Sequence, residues 1–224
     1  GDAEKQWREA IDLLKADIGN AAKDKDKEES YFYLGAVYYR KFDFGNAVDA
    51  FTKALTFGKK HFEDGEKLSG GVVLFSIKES MNDIKLKVFT QANRAYNDAL
   101  GMTNPDSARL DSVRKLLYKS IDKFRQVLLW DSLAFINGKS YTTAIYLTVA
   151  YAYIQLMNVE PEEGNKKALR EKILENLIKL SGLDKKNFFV VYNIFTVYYQ
   201  DKNYDKAIEW IDRGLQVETK DSAA

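Results

Sequence analysis

Two segments of this chain, 28–60 and 187–215, carry large and small residues in the same order at a constant separation of 160 residues. Tyr31, Leu34, Gly35 and Tyr38 correspond to Val191, Ile194, Phe195 and Tyr198. Phe44, Ala47, Val48, Phe51, Ala54 and Leu55 correspond to Tyr204, Ala207, Ile208, Ile211, Gly214 and Leu215. Within each segment these residues recur at threes and fours, the period of a helix with one buried face. The turn Phe42-Asp43-Phe44-Gly45-Asn46 is so short that the flanking helices must lie antiparallel. Gly35 and Ala47 are small where two backbones approach, and Tyr38 and Phe51 are large where the gap widens. Such a pattern, held over two stripes and the turn between them, predicts an all-α chain of stacked helix pairs.

The rest of the chain reads as helices of less regular spacing. A helix is predicted over 2–19, with Trp7, Ala10, Ile11, Leu14 and Ile18 on one face and Gly19-Asn20 as its stop. The charged run 23–29 reads as a solvated linker, since its Asp-x-Asp lacks the glycine and distal glutamate of a calcium loop. Loop composition follows over 61–71. The β-branched run 72–77 fits a strand or a buried helix; without a partner strand it is taken as helix, leading into the stripe Ile84, Val88, Ala92, Ala95 and Ala99. Gly101 closes that helix, and Asn104-Pro105-Asp106 opens the next. Helices are expected to end near Asp131, to span 141–157, and to span 166–180 with Ser181-Gly182 as a stop.

The spacing of an aromatic, Leu-Gly, Tyr, then Ala, Phe and Ala over 28–61 resembles a tetratricopeptide repeat. The likeness is strong over 28–61 and 187–218 and weaker over 7–18, 116–132 and 143–180. It implies one domain, a right-handed superhelical array of antiparallel helix pairs. An N-terminal half-repeat helix 2–19 would be followed by a repeat at 28–61, irregular elongated repeats at 72–132 and 138–181, and a repeat at 185–218. The offset of 160 is not a multiple of the usual period of about 34, so the middle repeats must be irregular. Phe195 in place of Gly35 departs from the pattern. The resemblance also implies a non-catalytic protein- or peptide-binding scaffold, with first helices lining a concave groove.

Composition narrows the chemistry. With 34 Lys+Arg against 33 Asp+Glu, the chain has no basic excess for nucleic acid or an anionic membrane. No apolar run reaches the length of a membrane span. There is no Cys, so disulfides, zinc–thiolate sites and cysteine nucleophiles are excluded. Gly138-Lys139-Ser140 has the tail of a phosphate loop, but Leu133 stands where the upstream glycine belongs. Ser112-x-x-Lys115 and Ser120-x-x-Lys123 lack the companion motifs of acylating enzymes and read as helix-surface residues. His61, the only histidine, reads as a dipole partner at a helix end. Glu162-Glu163 after Pro161 reads as a helix start. No cofactor or metal is expected, and the chain is read as not an enzyme.

By helical position, the wall facing a ligand should carry Phe32, Tyr39, Arg40, Tyr151, Tyr192, Thr196, Tyr199 and Gln200. Aromatic rings with a polar tip bury large area at low entropic cost, which suits protein recognition. Two readings of these rings stand: an open groove, or core covered by the middle helices. The lysine and asparagine clamp by which some relatives hold an acidic peptide C-terminus is missing, since Phe32 and Ala36 occupy the wall. At the C-terminal end, Trp210 and Ile211 are expected to be left uncovered and to drive self-association. The competing functions are a structural subunit of an envelope or secretion assembly, and an enzyme on a helical scaffold. Gly1 reads as a scar rather than a native start, so an exported, periplasmic mature form is compatible with the sequence.

Overall fold

The computed structural model describes residues 2–63, 76–102, 107–133 and 140–221, with side chains omitted at 107–108 and 217–221. Among these residues all regular structure is helical: α1 (Asp2–Asn20), α2 (Asp24–Arg40), α3 (Phe44–Phe57), α4 (Ile77–Leu100), α5 (Ser107–Asp131), α6 (Thr142–Asn158), α7 (Glu163–Leu183), α8 (Phe188–Gln200) and α9 (Tyr204–Asp221). The described residues group into two compact units, one up to Lys87 and one from Val88.

In the first unit α1 packs on α2 and α2 on α3. The charged run 23–29 is not a linker: α2 starts at Asp24, and Asp24 and Asp26 occupy its first turn. Carboxylates there complement the positive end of the helix dipole, so a run of charges starts the helix instead of interrupting it. Gly19-Asn20 likewise lies inside α1. The α2–α3 hairpin is as expected, with Leu34, Ala47, Val48, Phe51 and Ala54 buried. Gly35 lets the two helices pack closely, because a Cβ there would stand 2.5 Å from the Phe51 ring and force it aside.

In the second unit α5 packs on α6, α6 on α7, α7 on α8 and α8 on α9. Val88, Ala92, Ala95 and Ala99 of α4 are buried. So are Ser120, Ile121, Phe124 and Val127 of α5. Asp131 ends α5 and is tied to the segment that leads into the next helix, its Oδ2 accepting from Tyr141 N at 2.9 Å and from the Ser140 and Thr142 hydroxyls. α7 runs through Ser181-Gly182 to Leu183. Arg170 ties α7 to the end of α8 by pairing with Asp201 at 2.6 Å.

The two hairpins close in the same way. Lys41, Phe42 and Asp43 donate their backbone N–H to Val37, Tyr39 and Tyr38. Asp201, Lys202 and Asn203 donate to Val197, Tyr199 and Tyr198. Asp43 and Asn203 then cap α3 and α9, each accepting at 3.4 Å from the N–H three residues on. The offset of 160 therefore extends from side-chain pattern to individual backbone hydrogen bonds.

The front of the 72–77 run, the Asn104-Pro105-Asp106 start, most of the 61–71 loop and Gly138-Lys139 lie outside the described residues.

Candidate protein-binding face

The residues predicted to share one wall fall into three environments. Phe32 is no groove residue: it is fully buried, 4.2 Å from the His61 ring and nearly parallel to it. Its burial follows from what comes after α3. The chain turns back at His61, whose carbonyl accepts from Ile77 N at the start of α4. His61 is therefore core rather than an exposed dipole partner, and burial pushes its imidazole below the ordinary histidine range.

Tyr39 lies half-buried two helical turns further on. Its hydroxyl donates to Asp83 Oδ2 and accepts from Lys87 Nζ at 3.0 Å, while Lys87 also pairs with Asp83 at 2.6 Å. The Lys87 ammonium stands 4.9 Å from the Tyr39 ring centroid. Burial, then donation to the Asp83 carboxylate, raises the Tyr39 pKa; the bond to Asp83 raises that of Lys87. Tyr39 thus fastens the front of α4 to α2. Arg40 is exposed.

In the last hairpin the equivalent positions are open. Tyr192 is 49% exposed and Tyr199 57% exposed. They belong to a ladder of rings along α8: Phe188, Tyr192, Phe195 and Tyr199 follow one another with centroids 5.8–6.4 Å apart. Tyr204 of α9 extends it, 5.7 Å from Tyr199 and edge-on. These residues recur at fours and threes, so they share one stripe of the helix. On the flank of α8, Phe189 meets the half-buried Tyr151 at 6.4 Å. Thr196 turns its hydroxyl to its own helix, donating to Tyr192 O at 2.9 Å, and Gln200 is exposed.

The C-terminal pair of predicted residues is corrected as well. Trp210 is buried, with the Arg213 guanidinium 4.6 Å above its ring, and Ile211 is half-buried. Among the described residues of α9 the exposed large hydrophobic ones are Tyr204, Ile208 and Leu215. α9 carries two apolar stripes. Ala207, Trp210 and Gly214 form one; Tyr204, Ile208, Ile211 and Leu215 form the other. Small residues decide which one packs: a Cβ on Gly214 would stand 3.0 Å from the Phe188 ring, so the Ala207–Gly214 stripe takes the close contact. The signal for Phe188, Phe195, Tyr204, Ile208 and Leu215 was the second stripe itself, at spacings of four and three.

The motifs weighed for chemistry are placed differently. Ser120 is fully buried in α5, not on the surface, and Lys123 donates to Gln91 Oε1 at 2.7 Å. Glu163 opens α7; donation from Arg170 chiefly holds its carboxyl below the usual range. Among the described residues no three His, Asp or Glu side chains gather as a metal site, and no helix is long and apolar enough to cross a membrane. No family model and no curated protein matches the chain.

Proposed function

We propose that the chain is a non-catalytic protein-binding scaffold of tetratricopeptide-like helix pairs, and that it binds its partner on the aromatic face of α8 and α9. One observation carries the reading. Tyr192, Tyr204 and Ile208 are about half exposed, whereas their equivalents Phe32, Phe44 and Val48 are at most 7% exposed. The repeat assignment draws its support from the turn hydrogen bonds shared at the offset of 160.

Covering a half-exposed Tyr, Ile or Leu returns about 1 kcal/mol by area. Several such residues side by side supply the apolar centre of an interface, and the tyrosine hydroxyls supply its directional contacts. The Phe32 end of the predicted groove has no part in binding, because that ring is already covered.

Capture by immobilised wild type, compared with Tyr192→Ala/Tyr199→Ala, tests the reading once circular dichroism shows both helical. Loss of a captured protein in the variant is the expected result. Equal recovery of every captured protein removes the reading.

A further inference from the structure

Resting on that reading, we infer that the occupant of the α8–α9 face is an amphipathic α-helix of a partner chain, with apolar residues at i, i+4 and i+7 and a carboxylate at i+6. The first hairpin shows what such a face accepts. Positions that are buried there and open in the last hairpin lie on one side: Phe32, Phe44 and Val48 against Tyr192, Tyr204 and Ile208. Positions buried in both hairpins, such as Leu34 and Ile194, or Ala47 and Ala207, pack the hairpins themselves. In the first unit His61 stacks on Phe32 and its carbonyl accepts from Ile77 N at the start of α4, while Asp83 and Lys87 of α4 hold the Tyr39 hydroxyl.

The front of α4 therefore serves as a template. Ile77, Met81 and Ile84 are fully buried at i, i+4 and i+7. Asp83, at i+6, accepts the Tyr39 hydroxyl. Tyr199 stands at the Tyr39 position, 57% exposed, and presents the same donor. The exposed halves of Phe188, Tyr192, Tyr199, Tyr204, Ile208 and Leu215 offer roughly 600 Å² at about 200 Å² per large side chain. That is short of the ~800 Å² per partner of a standard protein interface. It suits one face of a helix laid into a groove. A second copy of this chain is a poorer fit, because each copy's own α4 is already fastened to its α2 through Tyr39.

The test uses a synthetic peptide of residues 76–88, held helical by a side-chain staple on its exposed face, titrated into the full chain and followed by fluorescence anisotropy. A saturable complex is expected. Ile208→Asp in the chain should weaken it at least tenfold, and Asp83→Ala in the peptide at least fivefold. The same peptide carrying prolines at Ser80 and Lys85 should not bind. If the proline peptide binds equally and still depends on Ile208, the helix inference is overturned while the binding face stands. If the stapled peptide does not bind, or binds Ile208→Asp as well as wild type, the inference is overturned. Sedimentation showing an Ile208-dependent dimer without peptide would also overturn it, since the occupant would be a second copy.

Discussion

Phe42 and Lys202 hold the same left-handed backbone, φ 60° and 58°, at the same point of two hairpins 160 residues apart. Each donates its N–H to the tyrosine three residues back, and in each hairpin the next residue caps the second helix. A turn of this kind sets the angle at which two helices leave it. Repetition of the turn therefore means repetition of the hairpin, whatever side chains clothe it.

The shared turn is strained in both places. A non-glycine residue in the left-handed region costs roughly 1–2 kcal/mol, offset in part by the greater unfolded-state freedom of glycine. Lys202→Gly should therefore stabilise the chain by about 0.5–1 kcal/mol, read as a higher denaturant midpoint at unchanged slope. Phe42→Gly should gain less, because it loses the edge contact of Phe42 with Phe44 at 6.1 Å.

Gly35 and Phe51 are a matched small–large pair. Gly35→Ala forces the Phe51 ring aside and should cost about 1–3 kcal/mol. Gly35→Ala/Phe51→Leu should recover part of that loss, and a double-mutant cycle measures the coupling. At the equivalent site of the last hairpin Phe195 is half-buried, between the rings of Tyr192 and Tyr199. Phe195→Ala should cost less than the 3–5 kcal/mol of a buried phenylalanine.

His61 makes stability depend on pH. Burial lowers its folded pKa, with Lys60 adding to the shift and Glu28 and Glu29 opposing it. On acidification the unfolded chain takes up the proton first, so stability is full above about pH 6.5 and falls as the pH drops toward the folded pKa. Urea denaturation at pH 7.5, 6.5 and 5.5 should show this decline, and His61→Gln should flatten it. A wild-type profile that rises on acidification over that range would contradict the buried, neutral imidazole.

Trp210 and Ile208 should separate stability from binding. Trp210→Ala should cost about 3–5 kcal/mol as a buried ring is lost. Ile208→Ala, at a 58% exposed position, should change stability by about 0.5 kcal/mol or less while weakening capture. Denaturation curves and capture on the same two variants check the pair.

The hairpins were legible because close packing leaves a mark in sequence: Gly35 opposite Phe51, Ala47 and Ala54 between larger residues, all repeated at one offset. Which stripe of α9 is buried was less legible, since both are apolar and the choice rests on Gly214 under Phe188. Phe32 was misplaced for a related reason. Position on α2 alone does not say what covers the ring, and the His61 ring that stacks on it comes from beyond α3. The start of α2 was missed because a run of charges reads as a linker, while Asp24 and Asp26 favour a helix N-terminus.

Hydroxyl-radical footprinting of the free chain and of the chain holding its captured partner tests the account most directly. In the free chain Tyr192, Tyr199 and Tyr204 should be modified several-fold faster than Tyr39, and Phe32 should be nearly inert. The partner should slow Tyr192, Tyr199 and Tyr204 together and leave Tyr39 and Phe32 unchanged. Protection at Tyr39 or Arg40, with Tyr192, Tyr199 and Tyr204 still reactive, would contradict the assignment of the binding face to α8 and α9.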